Sequence, residues 1–461
     1  MSDDAAGFRY TSHDTIWGDV TLPGFVTHVV HTPTFQRLNY LRQNGMLYLL
    51  YTGATHTRFA HSVGTAALAH KLIRKLAVAQ PELGITDGEI HTVVLAALCH
   101  DLGHGPTSHG FDLFMHAVVP EWSHEHQSVT LLQHLCASDD RVQSALRDAD
   151  IDLHVACELI LGSKSKAPKR WRWRGPSTGR AFLYEIVSSS STGIDVDKWD
   201  YLRRDAFHLA IPTGFVCKRL LNGVRVLADG RLAWPDTEID TITAMFHVRF
   251  QLHDRVYQCA ESRVLDRMAM HALYAMRDYV IGHVDGDGDG EGDGADADAR
   301  SEVTIATAYA HPAVYARLTD TLIDAGLQDA LDTMRCSVAA RALYARLQRR
   351  DLWPLIAETL LPKTLVFTVQ KVVETLSDMA ELSTDSFCVD VAYINCGRGR
   401  RNPMRHVPLY TSSTTNTLSI PTPSLPASFQ KRMLRVFVHD AENAMKLTAA
   451  VKRWIQEFTM H

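Results

Sequence analysis

The sequence predicts a mainly α-helical protein with a smaller α+β region at its C-terminal end. From Thr34 onward, long stretches carry the apolar spacing of helices with one buried face. From Thr364 the β-branched content rises, through Val366, Val369, Val372, Val373, Val389 and Val391, which points to strands. The composition supplies a large core: 46% of the 461 residues are hydrophobic and 21% charged, as in ordinary globular chains.

The elements follow in order. Residues 1–30 read as short strand or turn segments around Trp17-Gly18 and Pro23-Gly24. Phe59–Gln80 is a long helix, small and apolar on one face, with Lys71, Arg74 and Lys75 elsewhere. Asp87–Cys99 starts with a helix-capping pattern and grows apolar towards its end. Helical patterns also cover Glu125–Leu135, Val155–Leu161, Ala181–Val187 and Thr243–Ile281. His283–Arg300 is low-complexity Asp/Gly, unable to build a core, and reads as a flexible surface insert. It lacks the spacing and terminal Glu of an EF-hand loop. Ala306–Leu360 is again mostly helical, and a small α+β region ends the chain.

Acidic residues outnumber basic ones, 52 to 47, for a formal charge of −5. A general positive coat is therefore absent, and any anion site must be local. The 8 cysteines are widely spaced without a CxxC pair, so reduced, buried thiols are expected. The start, MSDDAAGF, is acidic and lacks a secretory apolar run, and no segment approaches the roughly 20 apolar residues of a membrane helix. The expectation is a soluble intracellular protein of nucleus or cytosol.

Histidine is the unusual residue: of 24 copies, fifteen lie at or before His154. The strongest local feature is Cys99-His100-Asp101-Leu102-Gly103-His104-Gly105-Pro106. An apolar helix ends there in two adjacent potential ligands, and because the chain turns, both can point at one ion. Another histidine follows at 109. Thr57–Ser62 places His61 near the start of the preceding helix, and Gly193–Tyr201 places Asp197 beside Lys198.

Together these make a His…His-Asp…Asp set. With it, the sequence resembles the dNTP triphosphohydrolase branch of the HD-domain metallohydrolases, in particular the vertebrate members that join a SAM domain to an HD domain. Matching stretches are Phe35–Leu38, Thr57–Ser62, Leu98–His109, Ser123–Glu125, Phe182–Val187, Gly193–Asp205 and Leu252–Gln258, with weaker similarity to Asn402–Tyr410. The resemblance implies an HD catalytic core over 1–282, the Asp/Gly insert over 283–300, a helical then α+β region over 301–461, and no SAM domain. It implies hydrolysis of deoxynucleoside triphosphates, dGTP among them, at the α-phosphorus to deoxynucleoside and inorganic triphosphate, an activity of dNTP catabolism and pool control. His61, His100, Asp101 and Asp197 match the metal ligands; such a donor set suits iron, manganese or zinc, with magnesium arriving on the triphosphate. His104, His109 and His124 match positions lining the site. The departing 5′-oxygen needs a proton, and His109 is the expected general acid, supported by His104 and the His124-Glu125 pair. Arg58, Lys198, Arg249 and His253 stand where the family grips phosphates. Tyr201 and Asp205 share a helix face toward the sugar. Gln43 and Asp205 would bond the 3′-hydroxyl, Tyr257 would crowd the 2′ position, and Gln258 would face the base. A homo-oligomer, dimer or tetramer, is implied as well.

This sequence also departs from the family. His31 and Asn39 replace an acidic residue and an arginine of its regulatory nucleotide pockets. Pro235, Thr237 and Pro421 stand near positions of basic residues that grip the second activator, whereas Arg219 and Gln36 remain. Activation by guanine nucleotide and tetramer assembly are thereby in question. Asn44 takes the place of a packing leucine beside the sugar. A different class is suggested by Lys164–Arg174, a basic run with Trp171 and Trp173 interleaved, and by Arg398–Arg401: a protein that contacts RNA or single-stranded DNA. A nearer alternative is another HD phosphohydrolase, a 5′-nucleotidase or phosphodiesterase.

Overall fold

A computed structural model describes residues 9–285, 300–327, 337–362, 365–411 and 429–459. Pro421, Cys336, the MSDDAAGF start and most of the Asp/Gly stretch lie outside the described residues. The chain opens with an antiparallel hairpin, β1 (Tyr10–Asp14) and β2 (Gly18–Leu22), in register from Tyr10↔Leu22 to Asp14↔Gly18. The Asp14 carboxylate accepts from the Ile16 and Trp17 amides, both at 2.8 Å, which shapes the turn. Two short helices follow, α1 (Phe25–Val30) and α2 (Pro33–Gln36), the second capped by Thr32 with proline at its first position.

The helical body comprises α3 (Arg58–Ala79), α4 (Asp87–Cys99), α5 (His109–Val118), α6 (His124–Ser138), α7 (Asp140–Asp148), α8 (Leu153–Leu161), α9 (Val196–His208) and α10 (Cys217–Gly223). A capping box between Thr86 and Glu89 starts α4, whose burial on nearly every side makes it an interior helix. Short strands β3 (Arg225–Val226) and β4 (Leu232–Pro235) lead to α11 (Ile239–Leu252) and α12 (Ala260–Ala275).

Several expectations are corrected. Ala181–Glu185 forms a 3-10 turn, not an α-helix: the Ser/Thr-rich run Ser188–Thr192 follows, and its hydroxyls compete for the hydrogen bonds a longer helix needs. Thr243–Ile281 is not one helix. A π-helical turn at His253–Tyr257 separates α11 from α12, and β5 (Val280–Asp285) begins before the span ends. β5 pairs antiparallel with β6 (Arg300–Thr304), so both ends of the 283–300 stretch are strand, because ladder bonds are made by backbone whatever the composition.

After α13 (Pro312–Tyr315), α14 (Asp320–Leu327) and α15 (Val338–Gln348), the region expected to be helical to Leu360 ends in β7 (Leu355–Leu360). Val369, Val372 and Val373 lie on α16 (Val369–Ala380), where Val372, Leu376 and Ala380 form a buried stripe; packing overrides their strand preference. Val389 and Val391 do lie in a strand, β8 (Phe387–Asn395). After β9 (Leu409–Tyr410), β10 (Gln430–Val438) occupies the centre of an antiparallel β7-β10-β8 sheet, and α17 (Ala444–Thr459) closes the description.

A second apolar core joins this sheet to α16 and α17 through Phe387, Leu434, Val436 and Leu447. The main core runs from Val20 through Val303, Tyr344 and Trp353 to Leu409, across the boundary drawn between 282 and 301. Among the described residues the cysteines are free, and all but half-buried Cys259 are buried. No described helix is long and apolar enough to cross a membrane.

Candidate metal centre and active-site cavity

A cavity of about 520 Å³ is walled by α3, α5, α9, α12 and the turn after α4. It brings together every site residue expected from the sequence except His100 and Glu125. His61 comes from the first turn of α3, His100 caps α4, Asp101 follows it, and Asp197 lies in the first turn of α9.

His61 Nε2 lies 3.2 Å from His100 Nε2, 3.2 Å from Asp197 Oδ1 and 3.6 Å from Asp101 Oδ2. His100 Nε2 is 3.5 Å from both Asp197 Oδ1 and Asp101 Oδ1. The outer ring atoms decide what these inner atoms can do. His61 Nδ1 meets Asp200 Oδ2 at 2.7 Å and His100 Nδ1 meets the Ala97 carbonyl at 2.8 Å; both partners only accept, so both Nδ1 atoms carry the proton. Two bare Nε2 lone pairs and two carboxylates then converge, an arrangement that repels itself unless a cation lies among them. The donor set fits a divalent metal, with the orienting partners typical of histidine ligands. The surroundings favour positive charge at this point, whether a proton or a metal ion supplies it: burial opposes a charged His61, yet Asp197 and Asp200 raise it to about 10, and His100 and His61 hold Asp197 far below the usual carboxylate range despite its burial.

Asp200, one turn beyond Asp197, was not anticipated. It also accepts from Trp17 Nε1 at 2.5 Å and from Arg204 Nε at 2.8 Å, and Arg204 reaches Asp14 at 2.9 Å. Asp101 is held by Arg58 Nη1 at 2.5 Å.

A second unanticipated carboxylate, Asp112 on α5, organises the other histidines. His109 Nδ1 lies 3.5 Å from it, His104 Nδ1 3.6 Å and His124 Nδ1 3.9 Å; the His104 and His124 rings stack at 3.9 Å. Burial and His104 push His124 down to about 4, so it is neutral at neutral pH. Burial also lowers His109, but Asp112 outweighs it and the net shift is upward. Glu125 lies 3.7 Å from His124 Nε2, beyond hydrogen-bond length, and 3.2 Å from Lys166 Nζ.

At the far side of the cavity Asp205 accepts from Tyr257 Oη at 2.6 Å and from His56 Nε2 at 2.7 Å. Arg58 is buried and donates through Nε to Ser108 at 3.0 Å. Lys198 Nζ pairs with Asp195 at 2.6 Å, and Arg249 Nη1 donates to the Asn395 carbonyl at 2.6 Å. Gln43, Tyr201, His253 and Gln258 complete the wall. Burial, then Arg249, keeps His253 neutral.

Residues 58–204 match the HD domain model, a span that contains all four donors. The chain is 32% identical over 475 residues to "Deoxynucleoside triphosphate triphosphohydrolase SAMHD1" of Homo sapiens, covering 96% of this chain and 72% of that protein. The Bos taurus protein of the same name is 32% identical, with 92% and 74% covered. The chain belongs to the SAMHD1 family. A more distant member, the "SAMHD1 homolog" of Dictyostelium discoideum, is 26% identical over 97% of this chain and 81% of its own. Membership makes the chain an HD-domain hydrolase, and HD domains bind divalent metals.

Within this SAMHD1-family chain, the residues that sequence reasoning missed carry a weak local signal. Asp200 and Asp112 each stand three residues after a named site residue, Asp197 and His109, where a helix brings side chains together. His56 has no such signal. At the expected regulatory positions, the retained Gln36 donates to the Val30 carbonyl at 2.8 Å, the substituted Asn39 donates to Gln36 at 3.1 Å, and the retained Arg219 is paired with Glu238 at 2.9 Å. In the basic run, Trp171 stacks on His154 at 4.8 Å and Trp173 tilts against Tyr184 at 5.9 Å, so both rings help anchor their own segment. Lys164, Lys169, Arg170 and Arg172 are exposed.

Proposed function

We propose that this protein hydrolyses deoxynucleoside triphosphates at the α-phosphorus, releasing a deoxynucleoside and inorganic triphosphate. The observation that carries the reading is one cavity lined by three of the four donors, local cations and the Tyr257–Asp205 pair, with His100 directly behind His61 and Asp197. Names of the SAMHD1 relatives support it.

His61, His100, Asp101 and Asp197 would hold iron, manganese or zinc. When bound, such an ion supplies Lewis-acid chemistry, acidifying water and polarising phosphoryl oxygen, while magnesium accompanies the triphosphate. Arg58, Lys198 and Arg249 offset phosphate charge, and His253 offers a neutral donor beside them. Water oxygen bonds to the α-phosphorus and gives up one proton to solvent, the P–O5′ bond breaks, and the 5′-oxygen takes a proton from His109, which solvent then restores. Asp112 favours the protonated form of His109 that this step needs. Neutral His124, stacked on His104, lies beside Asp112 and supports His109, with Glu125 next to it at 3.7 Å. Asp205 and Gln43 meet the 3′-hydroxyl, Tyr201 the sugar face, and the Tyr257 ring occupies the 2′ side. Assembly into a dimer or tetramer belongs to the same reading and is read by light scattering.

Purified protein analysed for metal, then incubated with each dNTP with and without GTP, tests the reaction. Inorganic triphosphate is the expected product; pyrophosphate or orthophosphate overturns it, and orthophosphate from monophosphates would favour a 5′-nucleotidase. Replacing the Lys164–Arg174 cations with serine tests the exposed basic surface: oligonucleotide binding equal to wild type removes any RNA or single-stranded DNA role.

A further inference from the structure

On α12, Arg263 and Asp266 both line the cavity. Three residues apart on a helix, they share a face and would ordinarily pair with each other. They do not, because β8 intervenes. Asp390, fully buried in that strand, accepts from Arg263 Nε at 3.0 Å and Nη2 at 2.6 Å, and from Arg267 Nε at 2.9 Å and Nη2 at 2.7 Å. Bidentate capture turns Arg263 away from Asp266 and fixes its plane. Its Nη1 remains, and among the described residues neither Nη1 nor the Asp266 carboxylate has a hydrogen-bond partner.

The half-buried Asp266 carboxylate faces the cavity, where a ligand that donates to it meets an acceptor not already engaged by the protein. Burial raises the Asp266 carboxyl, with Arg263 and then His109 opposing. Asp266 also shares a small recess of about 20 Å³ with Asn44, His109 and Tyr257, next to the sugar corner. The recess thus runs from Tyr257, assigned above to the 2′ side of the sugar, to Asp266 on α12.

We propose that Arg263 and Asp266 read the substrate's base and select guanine, with Asp390 as the positioning residue that presents Arg263. Guanine alone among the four bases offers two adjacent donors, N1–H and the 2-amino group, that match the two oxygens of a carboxylate. Its O6 lies beside them and accepts from Arg263 Nη1. Adenine has no N1–H, cytosine presents one amino group, and thymine presents one N–H between two carbonyls. This inference rests on the dNTP reading and names the substrate within it.

The test compares kcat/KM for the four dNTPs and for dITP, which lacks the 2-amino group, together with calorimetric binding of dGTP and dATP. The expected advantage of dGTP over each other base is about ten- to hundredfold, and dITP falls below dGTP by about tenfold. Asp266→Asn brings the dGTP-to-dATP ratio to within about threefold, and Asp390→Asn lowers the same ratio. A ratio is the readout because a merely destabilised protein loses rate on every substrate alike. Equal kcat/KM for all four dNTPs in the wild type, preference for another base, or an unchanged ratio in Asp266→Asn overturns the proposal. Absence of triphosphate release from any dNTP overturns the reaction instead, and the binding ratio still reads the base preference.

Discussion

Asp200 supports the candidate metal centre without belonging to it. Its carboxylate accepts a hydrogen bond from His61 Nδ1–H at 2.7 Å, which turns Nε2 toward the cavity as the atom free to bind an ion. Asp200→Ala is expected to weaken metal binding about 10–100-fold, the usual cost of losing a ligand's orienting partner. Competition titration with a chelating dye checks it. At His109 the prediction concerns pH. In the proposed reaction the proton donor is the His109 cation, and Asp112 raises the His109 pKa against the effect of burial. Turnover should therefore hold at lower pH and decline as pH rises through the raised value. Asp112→Asn removes the anion, lowers the pKa and moves the decline to lower pH, visible in a kcat–pH profile. His109→Ala should cost about 10²–10⁴-fold in kcat with metal content retained; near-normal turnover would count against His109 as the acid.

At the scale of elements, the contact of α3 with α9 sets the centre. Gly64 is the residue that lets them approach: a Cβ there would lie 2.1 Å from Asp200 Oδ1 and 2.4 Å from Arg204 Nη2. Both atoms are locked in buried ion pairs, so neither can move aside cheaply. Gly64→Ala should destabilise by about 1–3 kcal/mol and lower metal content, read by thermal melting and elemental analysis. The elements also show what was legible. Asp87–Cys99 was readable to the residue, because its cap and apolar run are local. The π turn at His253–Tyr257 was not: its sequence has no helix breaker, yet it separates α11 from α12 and aims His253 and Tyr257 into the cavity. The valines of α16 misled because Val372 packs into the core from a helix, beside Leu376 and Ala380, as well as it would from a strand.

Across the whole molecule, distant segments close around the HD core. The β1–β2 hairpin reaches behind His61 through Trp17–Asp200 and Asp14–Arg204. Asp14→Ala leaves the fully buried Arg204 with one carboxylate partner fewer, at an expected cost of about 3–5 kcal/mol in chemical denaturation. From the other end of the chain, β8 braces both sides of the π turn, by Asn395 on Arg249 and Asp390 on Arg263. The C-terminal sheet is thus part of the cavity's support.

The sequence by itself singled out the groups that the fold gathers at one point: His61, the His100-Asp101 pair, Asp197 and the cations beside them stand in short motifs whose helical spacing and side-chain chemistry are local. Only the tertiary structure decided what holds those groups. Trp17 meets Asp200 across 183 positions, His56 meets Asp205 across 149, and Arg263 meets Asp390 across 127. Such pairs close long loops, and their choice follows from how helices and strands pack together, which no local pattern of residues encodes.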